Sequence, residues 1–271
     1  MMNLETRKGA RSMAEIPPHV LDAINQGEIE TLSLVEILAA DQSKIVASVF
    51  GSTDFHWLIE PCQLFLSSDP KLTFTQKMKG IGLVLAQELP PNNLEKGCLE
   101  TFQHATSDVV RCYMSYLVGL HPNWSTEEKL QQIKSFADDH NAGVREFAWM
   151  AIRDHLMADP LESIFLLKTW VVDESVNIRR FASEVTRPRG VWCKHWELLK
   201  REPALASPLL DSLCNDPEKY VQNSVANWLN DASKSRPDFV AHTTTHWLKN
   251  YPKSKSTAYI VKRALRTLVK K

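Results

Sequence analysis

Apolar positions in this chain return at helical spacing along nearly its whole length, and strand-like alternation is almost absent. Pro17-Pro18 is a helix opening, because the first-turn amides have no intrahelical acceptor and proline loses nothing there. Helical spacing then runs from Val20 to about Phe50, broken near Gly27, from about Phe55 to Leu66, and from about Phe74 to Leu89 through Met78, Ile81, Val84 and Leu85. The few β-branched runs, such as Trp170-Val171-Val172, lie inside longer helical patterns. The pattern predicts an all-α protein. Residues 1–15 are polar and without period, which predicts a flexible amino-terminal segment ahead of a single helical domain over 16–271.

A repeat is superimposed on that pattern. Val110-Arg111, Val144-Arg145 and Ile178-Arg179 recur at steps of 34 residues, each near the start of a helix and each after a polar turn containing Asp or Asn. Less regular counterparts stand at Val221-Gln222 and Val261-Lys262. Such a period in a helical chain predicts an α-α superhelix, a solenoid of HEAT- or armadillo-like helix pairs that each bury an apolar stripe against the next.

The side chains turned away from those stripes carry the candidate chemistry. At 100° per residue, Val144, Phe147, Ala148, Ala151, Ile152 and His155 share one face, which leaves Glu146, Trp149 and Arg153 on the other. That face is either a binding surface or one covered by the neighbouring repeat. In the following repeat, Ile178, Phe181, Ala182 and Val185 face inward and Arg180, Ser183, Glu184 and Arg187 outward, until Pro188 stops the helix. Arg179, Arg180, Arg187, Arg189 and Lys194 meet a single acid, Glu184, with Trp192 nearby. Five cations suit phosphate oxygens or, alternatively, a salt-bridged joint between repeats. A third helix places Asn223, Asn227, Asn230 and Lys234 on one outer stripe beside Asp231. Asparagine costs a helix about 0.5 kcal/mol relative to alanine, so the stripe has a compensating use, as DNA contacts or as bridges between repeats.

Composition adds bounds. The 271 residues, 44% hydrophobic and 24% charged, suffice for a packed core. Five widely spaced cysteines without a C-x-x-C string predict neither a disulfide framework nor a zinc site and fit a reducing cytoplasm. No apolar run is long enough for a signal peptide core or a membrane span. The formal net charge of zero conceals ten basic residues against one acid, Asp238, from Ser233 to Lys271. A one-sided basic repeat is the footprint of a polyanion partner or a solvated tail. His242 and His246 are four apart, but no acid or cysteine accompanies them, so they read as a partly buried pair rather than metal ligands. No phosphate-loop, dinucleotide-fold or metalloprotease string is present.

The segments R-R-F-A-S-E-V-T-R-P-R-G-V-W and D-P-E-K-Y-V-Q-N-S-V-A-N-W-L-N-D-A-S-K, over about 177–235, resemble the AlkC branch of the AlkC/AlkD HEAT-like-repeat DNA glycosylases. The stretch I-P-P-H-V-L-D-A-I-N-Q-G-E-I-E-T is also similar. The resemblance implies a protein that cradles double-stranded DNA; a bacterial monomer in the cytoplasm, associated with the nucleoid when bound, is the accompanying expectation. It also implies excision of alkylated, cationic bases by hydrolysis of the N-glycosidic bond, without metal or cofactor. By motif, Arg180, Trp192 and Asp231 match positions the family uses in its DNA cleft. One departure stands out: against the family pattern E-F-A-I-R this chain reads E-F-A-W-M-A-I-R, which puts Trp149 where the family's glutamate is expected and leaves Glu146 one turn earlier.

Expected site residues are therefore Asp231 and Glu146 as candidate catalytic carboxylates and Trp149 and Trp192 as lesion-facing aromatics. Arg153, Arg180, Arg187, Arg189, Lys194, Asn223, Asn227 and Lys234 are expected at the DNA. A carboxylate in such a site stabilises the developing sugar cation and orients water. The rival expectation is a helical-repeat DNA-binding or scaffold protein without catalysis.

Overall fold

The computed structural model describes residues 7–89 and 94–268, and no strand occurs among them. Two compact units divide the chain, Met1–Ile152 and Arg153–Lys271. The first contains α1 (Pro18–Gln26), α2 (Leu34–Ala39), α3 (Gln42–Ile45), α4 (Ile59–Ser68), α5 (Phe74–Glu88), α6 (Leu94–Phe102), α7 (Asp108–Leu120) and α8 (Thr126–Ala137). Helix α9 (Ala142–Leu156) spans the boundary. The second unit continues with α10 (Pro160–Leu167), α11 (Val176–Val185), α12 (Glu197–Arg201), α13 (Ser207–Leu213), α14 (Lys219–Ser233), α15 (Pro237–Asn250) and α16 (Lys255–Ala264).

Local chemistry sets the helix ends. Pro18 occupies the first turn of α1, which closes on Gly27 in the left-handed region at φ 74°, where a Cβ is unfavourable. Thr73 with Gln76 and Ser125 with Glu128 form reciprocal capping boxes that start α5 and α8. Ser107 and Ser175 cap α7 and α11 through their hydroxyl oxygens. Trp170–Val172, β-branched yet not a strand, is a 3-10 turn.

The 34-residue period is a physical joint. Arg111 Nη1 donates to the carbonyls of Ala105 and Thr106, Arg145 Nη1 to those of Asp139 and His140, and Arg179 Nη1 to those of Asp173 and Glu174. Gln222 repeats the device on Asp216 and Pro217 through Nε2. Each side chain reaches back over its own turn and satisfies carbonyls that no helix covers. The same groups also reach the next turn: Arg111 Nε donates to Asp139 at 2.7 Å, Arg179 Nε to Asp216 at 2.7 Å, and Gln222 to Ser256 at 3.0 Å.

In the first unit α7 packs on α5, α6 and α8. Aromatic pairs fill the seams: Phe50 stacks on Phe102 at 4.5 Å, and Phe147 of α9 meets both Phe74 and Tyr116. The described part of the amino-terminal segment departs from the flexible one expected. Arg7 is buried and donates to Glu36 Oε1 at 2.7 Å, while the Ala10 amide reaches the same oxygen. A buried carboxylate recruits whatever donors the chain can bring, and here the polar leader brings them; residues 1–6 lie outside the described residues.

In the second unit α14 lies at the centre, with α11 and α16 against it and α13 and α15 beside it. Trp196, Trp228 and Trp247 are fully buried, each such side chain contributing on the order of 2 kcal/mol or more by burial. The indole N–H of Trp228 donates to the Thr186 carbonyl and that of Trp247 to Asp211.

Candidate nucleic-acid interface

Helices α11 and α14 bring a charged cluster together. Arg187 Nη1 donates to Glu184 Oε1 at 2.6 Å, while its Nε and Nη2 converge on Asp231 Oδ2 at 2.9 and 2.7 Å. Lys234 Nζ reaches Asp231 Oδ1 at 3.0 Å, and Arg180 Nη2 lies 3.5 Å from Glu184 Oε2. The Ser224 hydroxyl donates to Glu184 Oε2, and Ser183 donates to Ser224. The Arg180 guanidinium also stacks 4.5 Å from the Tyr220 ring centroid.

Burial alone would raise the Glu184 carboxyl, but the charges of Arg180 and Arg187 and the Ser224 hydroxyl outweigh it and hold it below the ordinary value. Arginine, arginine and lysine exceed the two carboxylates here by one positive charge. Asp231 has both oxygens committed to cations and is 5% exposed. Its charge is therefore compensated in place.

Several residues expected to face outward are inside. Ser183 and Glu184 are buried by α14, and Asn230 and Asp231 by the elements that cover α14. A helical wheel assigns one buried face, whereas a helix in a stack has a neighbour on each side. Glu184 could have been found in the sequence, since it lies four residues after Arg180 and three before Arg187.

The asparagine stripe is a seam between repeats. Tyr259 OH donates to Asn223 Oδ1, Arg266 Nη2 to Asn227 Oδ1, and Asn230 Nδ2 to the Ala264 carbonyl and Thr267 Oγ1. Of the two uses the stripe allowed, bridging is the one the contacts display. Arg179, counted with the other cations, is likewise spent in the joint with Asp216.

Pro188 begins a loop that returns at Trp196, whose amide donates to the Pro188 carbonyl at 3.0 Å. Within it, Trp192 is 65% exposed at φ 59°, a left-handed conformation unusual for a bulky residue, and Val191 beside it is 53% exposed. Lys194 is exposed, and Arg189 Nη2 donates to Ser235 at 2.7 Å. Arg153 is not on an outer stripe: it is 1% exposed and donates to the carbonyls of Val185, Arg187 and Lys194. Its guanidinium lies 5.5 Å from the Trp196 ring. The reason is one of satisfaction, since the end of α11 and the following loop leave three carbonyls that a planar fork of donors can take together.

In the first unit, Trp149 is also buried, at 3% exposure, and its indole Nε1 donates to Glu146 Oε2 at 2.7 Å. Of the two alternatives for this face, burial holds for Trp149, whose indole donates to a half-buried carboxylate rather than standing open to a lesion.

Other candidate chemistry is accounted for. Glu30, Asp139 and His140 bring ligand-type atoms within 4.8 Å of one another, but Arg111 donates to both carboxylates. His242 and His246 are both exposed, against the partly buried pair expected, and His246 Nε2 pairs with Asn250. All five cysteines are free thiols, and Cys62 and Cys98 are pushed up to about 12 by burial. Among the described residues, no helix is long and apolar enough to cross a membrane.

Comparison with known proteins follows the same region. The model of the family described as DNA alkylation repair enzyme matches residues 83–268. The uncharacterized protein YhaZ of Bacillus subtilis (strain 168) is 32% identical over 212 residues, 77% of this chain and 56% of that protein. The chain thus spans a little over half the length of this curated relative. Among solved structures, Pseudomonas fluorescens alkylpurine DNA glycosylase AlkC, bound to DNA containing an abasic site analog, superposes with a TM-score of 0.70 at 23% identity. That superposition covers 97% of this chain and 66% of AlkC. AlkD2 from Streptococcus mutans superposes with a TM-score of 0.60 at 21% identity, over 78% of this chain and 96% of that one. These likenesses establish the helical-repeat fold, and the family match over more than half the chain establishes the lineage: the protein belongs to the DNA alkylation repair enzyme family.

Proposed function

We propose that this protein is a DNA N-glycosylase that excises alkylated, cationic bases from double-stranded DNA. The observation that carries the reading is the family match over 83–268, which includes the helix bearing Glu146 and the cation cluster around Arg187. The chemistry asks little of the protein. An alkylated purine is a cationic leaving group, so the C1′–N bond breaks with its electron pair passing to the base. Water then adds to C1′ and loses a proton. A carboxylate beside the sugar stabilises the cationic transition state and takes that proton.

Between the two expected carboxylates, Glu146 is the better assigned. The Trp149 indole donates to one of its oxygens, and the helix that carries both residues lies within the family match. Asp231 is gripped by Arg187 and Lys234, so its charge is spent before a sugar cation could use it. Arg180, Arg187, Arg189, Lys194 and Lys234 suit phosphates, with Asn223 and Asn227 at the seam behind them.

The compensated state of Asp231 also favours a second reading, a repair-family DNA binder without excision. One experiment separates them: release of methylated bases from alkylated duplex DNA by wild type, Glu146→Gln and Asp231→Asn. Release that collapses in Glu146→Gln supports the assignment, and release surviving in that variant refutes it. No release by wild type, with salt-sensitive DNA binding retained, leaves the binder.

A further inference from the structure

Arg153 is a buried cation, and its hydrogen bonds all go to the backbone that frames one exposed residue. Its donors take the carbonyls at the end of α11, at Arg187 and at Lys194, on both sides of Trp192. The loop is also wedged from within. Gly190 is packed so closely that a Cβ there would fall 2.2 Å from Cys193 Sγ and 3.6 Å from Arg153 Cζ. Burial raises the Cys193 thiol, which makes it a packing atom rather than a nucleophile. Trp196 fills the base of the loop beneath the guanidinium.

A tryptophan held at positive φ with about two thirds of its surface in water is a costly arrangement unless the surroundings over-determine it. Here they do. We propose that Arg153 is a positioning residue which never meets DNA, but fixes the Pro188–Trp196 loop so that Trp192 presents its ring to a nucleobase or deoxyribose face. Arg189 and Lys194 belong to the same loop, three residues before and two residues after Trp192 in the chain, and bring it positive charge that suits phosphates. The inference rests on the DNA reading above and adds to it a residue whose burial removes it from direct contact.

The test uses two cycles read by DNA affinity and by fluorine NMR of protein labelled with 5-fluorotryptophan, the Trp192 signal being identified by its loss in Trp192→Phe. The probe is a duplex oligonucleotide with a tetrahydrofuran abasic analogue. In the first cycle, Trp192→Ala weakens binding about tenfold, as loss of one stacking partner does. Arg153→Lys weakens wild type by a similar factor yet adds less than twofold in the Trp192→Ala background. A direct phosphate contact, or general unfolding, would weaken both backgrounds alike.

The second cycle perturbs the loop without substituting Arg153. Gly190→Ala shifts the Trp192 signal and lowers affinity, and Gly190→Ala combined with Cys193→Ala matches Cys193→Ala alone, because the clashing sulfur is gone. Failure of that rescue, or additive losses in the first cycle, overturns the inference while DNA binding stands. If wild type binds no DNA, the functional reading fails. The Trp192 signal then judges the loop by itself: no displacement in Gly190→Ala and Arg153→Lys overturns the positioning role as well.

Discussion

Arg179 and Arg187 stand at opposite ends of α11 and do opposite kinds of work. Arg179 closes a joint: two carbonyls of its own turn, then the aspartate of the next. Arg187 bridges two acids, Glu184 and Asp231, and shares them with Arg180 and Lys234 so that positive charge is left over. Both are arginines near a helix end with acids nearby, and composition counts them alike. The difference is that a joint is complete in itself, whereas the bridge leaves the cluster one cation in surplus. Only the second kind of arginine has reason to meet an anion.

The largest effect expected from that contrast lies in the first unit. Arg111 is the fullest version of the joint, donating to Glu30, Asp139 and two carbonyls at 3% side-chain exposure. Removing it as Arg111→Ala strands two carboxylates and is expected to cost about 3–5 kcal/mol. Urea denaturation checks this. A loss below about 1 kcal/mol would mean that the joints are ornaments of the fold rather than its fasteners.

Next comes Arg187, where stability and pH are coupled. The Glu184 carboxyl is held below its ordinary value of 4.5, against burial, by Arg180, Arg187 and Ser224. A depressed folded value means that this group stabilises the protein above about 4.5 and that the contribution fades as pH falls through the lower folded value. In Arg187→Met, burial acts on Glu184 with one cation fewer. Its carboxyl rises, and the loss of stability moves to higher pH, with about 3 kcal/mol lost at neutrality for the stranded pair. Denaturation midpoints between about pH 3 and 7 read it directly. A variant with the wild-type pH profile would separate Glu184 from Arg187.

Much of this is legible in the sequence. The 34-residue step places Arg111, Arg145 and Arg179 at equivalent positions, and α7, α9 and α11 begin at Asp108, Ala142 and Val176 with that same spacing. Burial of Ile178, Phe181, Ala182 and Val185 follows from one turn of reasoning about periodicity. Orientation on the other side was not legible. Trp149, Arg153, Glu184 and Asn230 all read as outward on a single helix, and all are buried; Arg153, Glu184 and Asn230 are bonded there to residues thirty or more positions away. Trp192 was legible as an aromatic among cations, but its left-handed backbone and the buried arginine behind it belong to tertiary structure alone.

The smallest effect sharpens the comparison at the seam between α14 and α16. Asn230 is 3% exposed and its amide donates to the Ala264 carbonyl at 3.0 Å and to Thr267 at 2.9 Å. Asn230→Ala leaves a buried carbonyl wanting, at about 1–2 kcal/mol. Asn227 accepts from Arg266 in an exposed bond, and Asn227→Ala is expected to cost under about 0.5 kcal/mol. It also returns helix propensity, so its net effect on stability is close to zero. What it changes is Arg266, already pulled below the ordinary guanidinium value by burial and by Arg263. Freed from Asn227, that cation can turn to a phosphate. Asn227→Ala is therefore expected to leave stability intact and to hold or slightly strengthen salt-sensitive DNA binding, measured by anisotropy across a salt series. Weaker binding in that variant would show that the amide itself reaches DNA, and would return Asn227 from the seam to the interface.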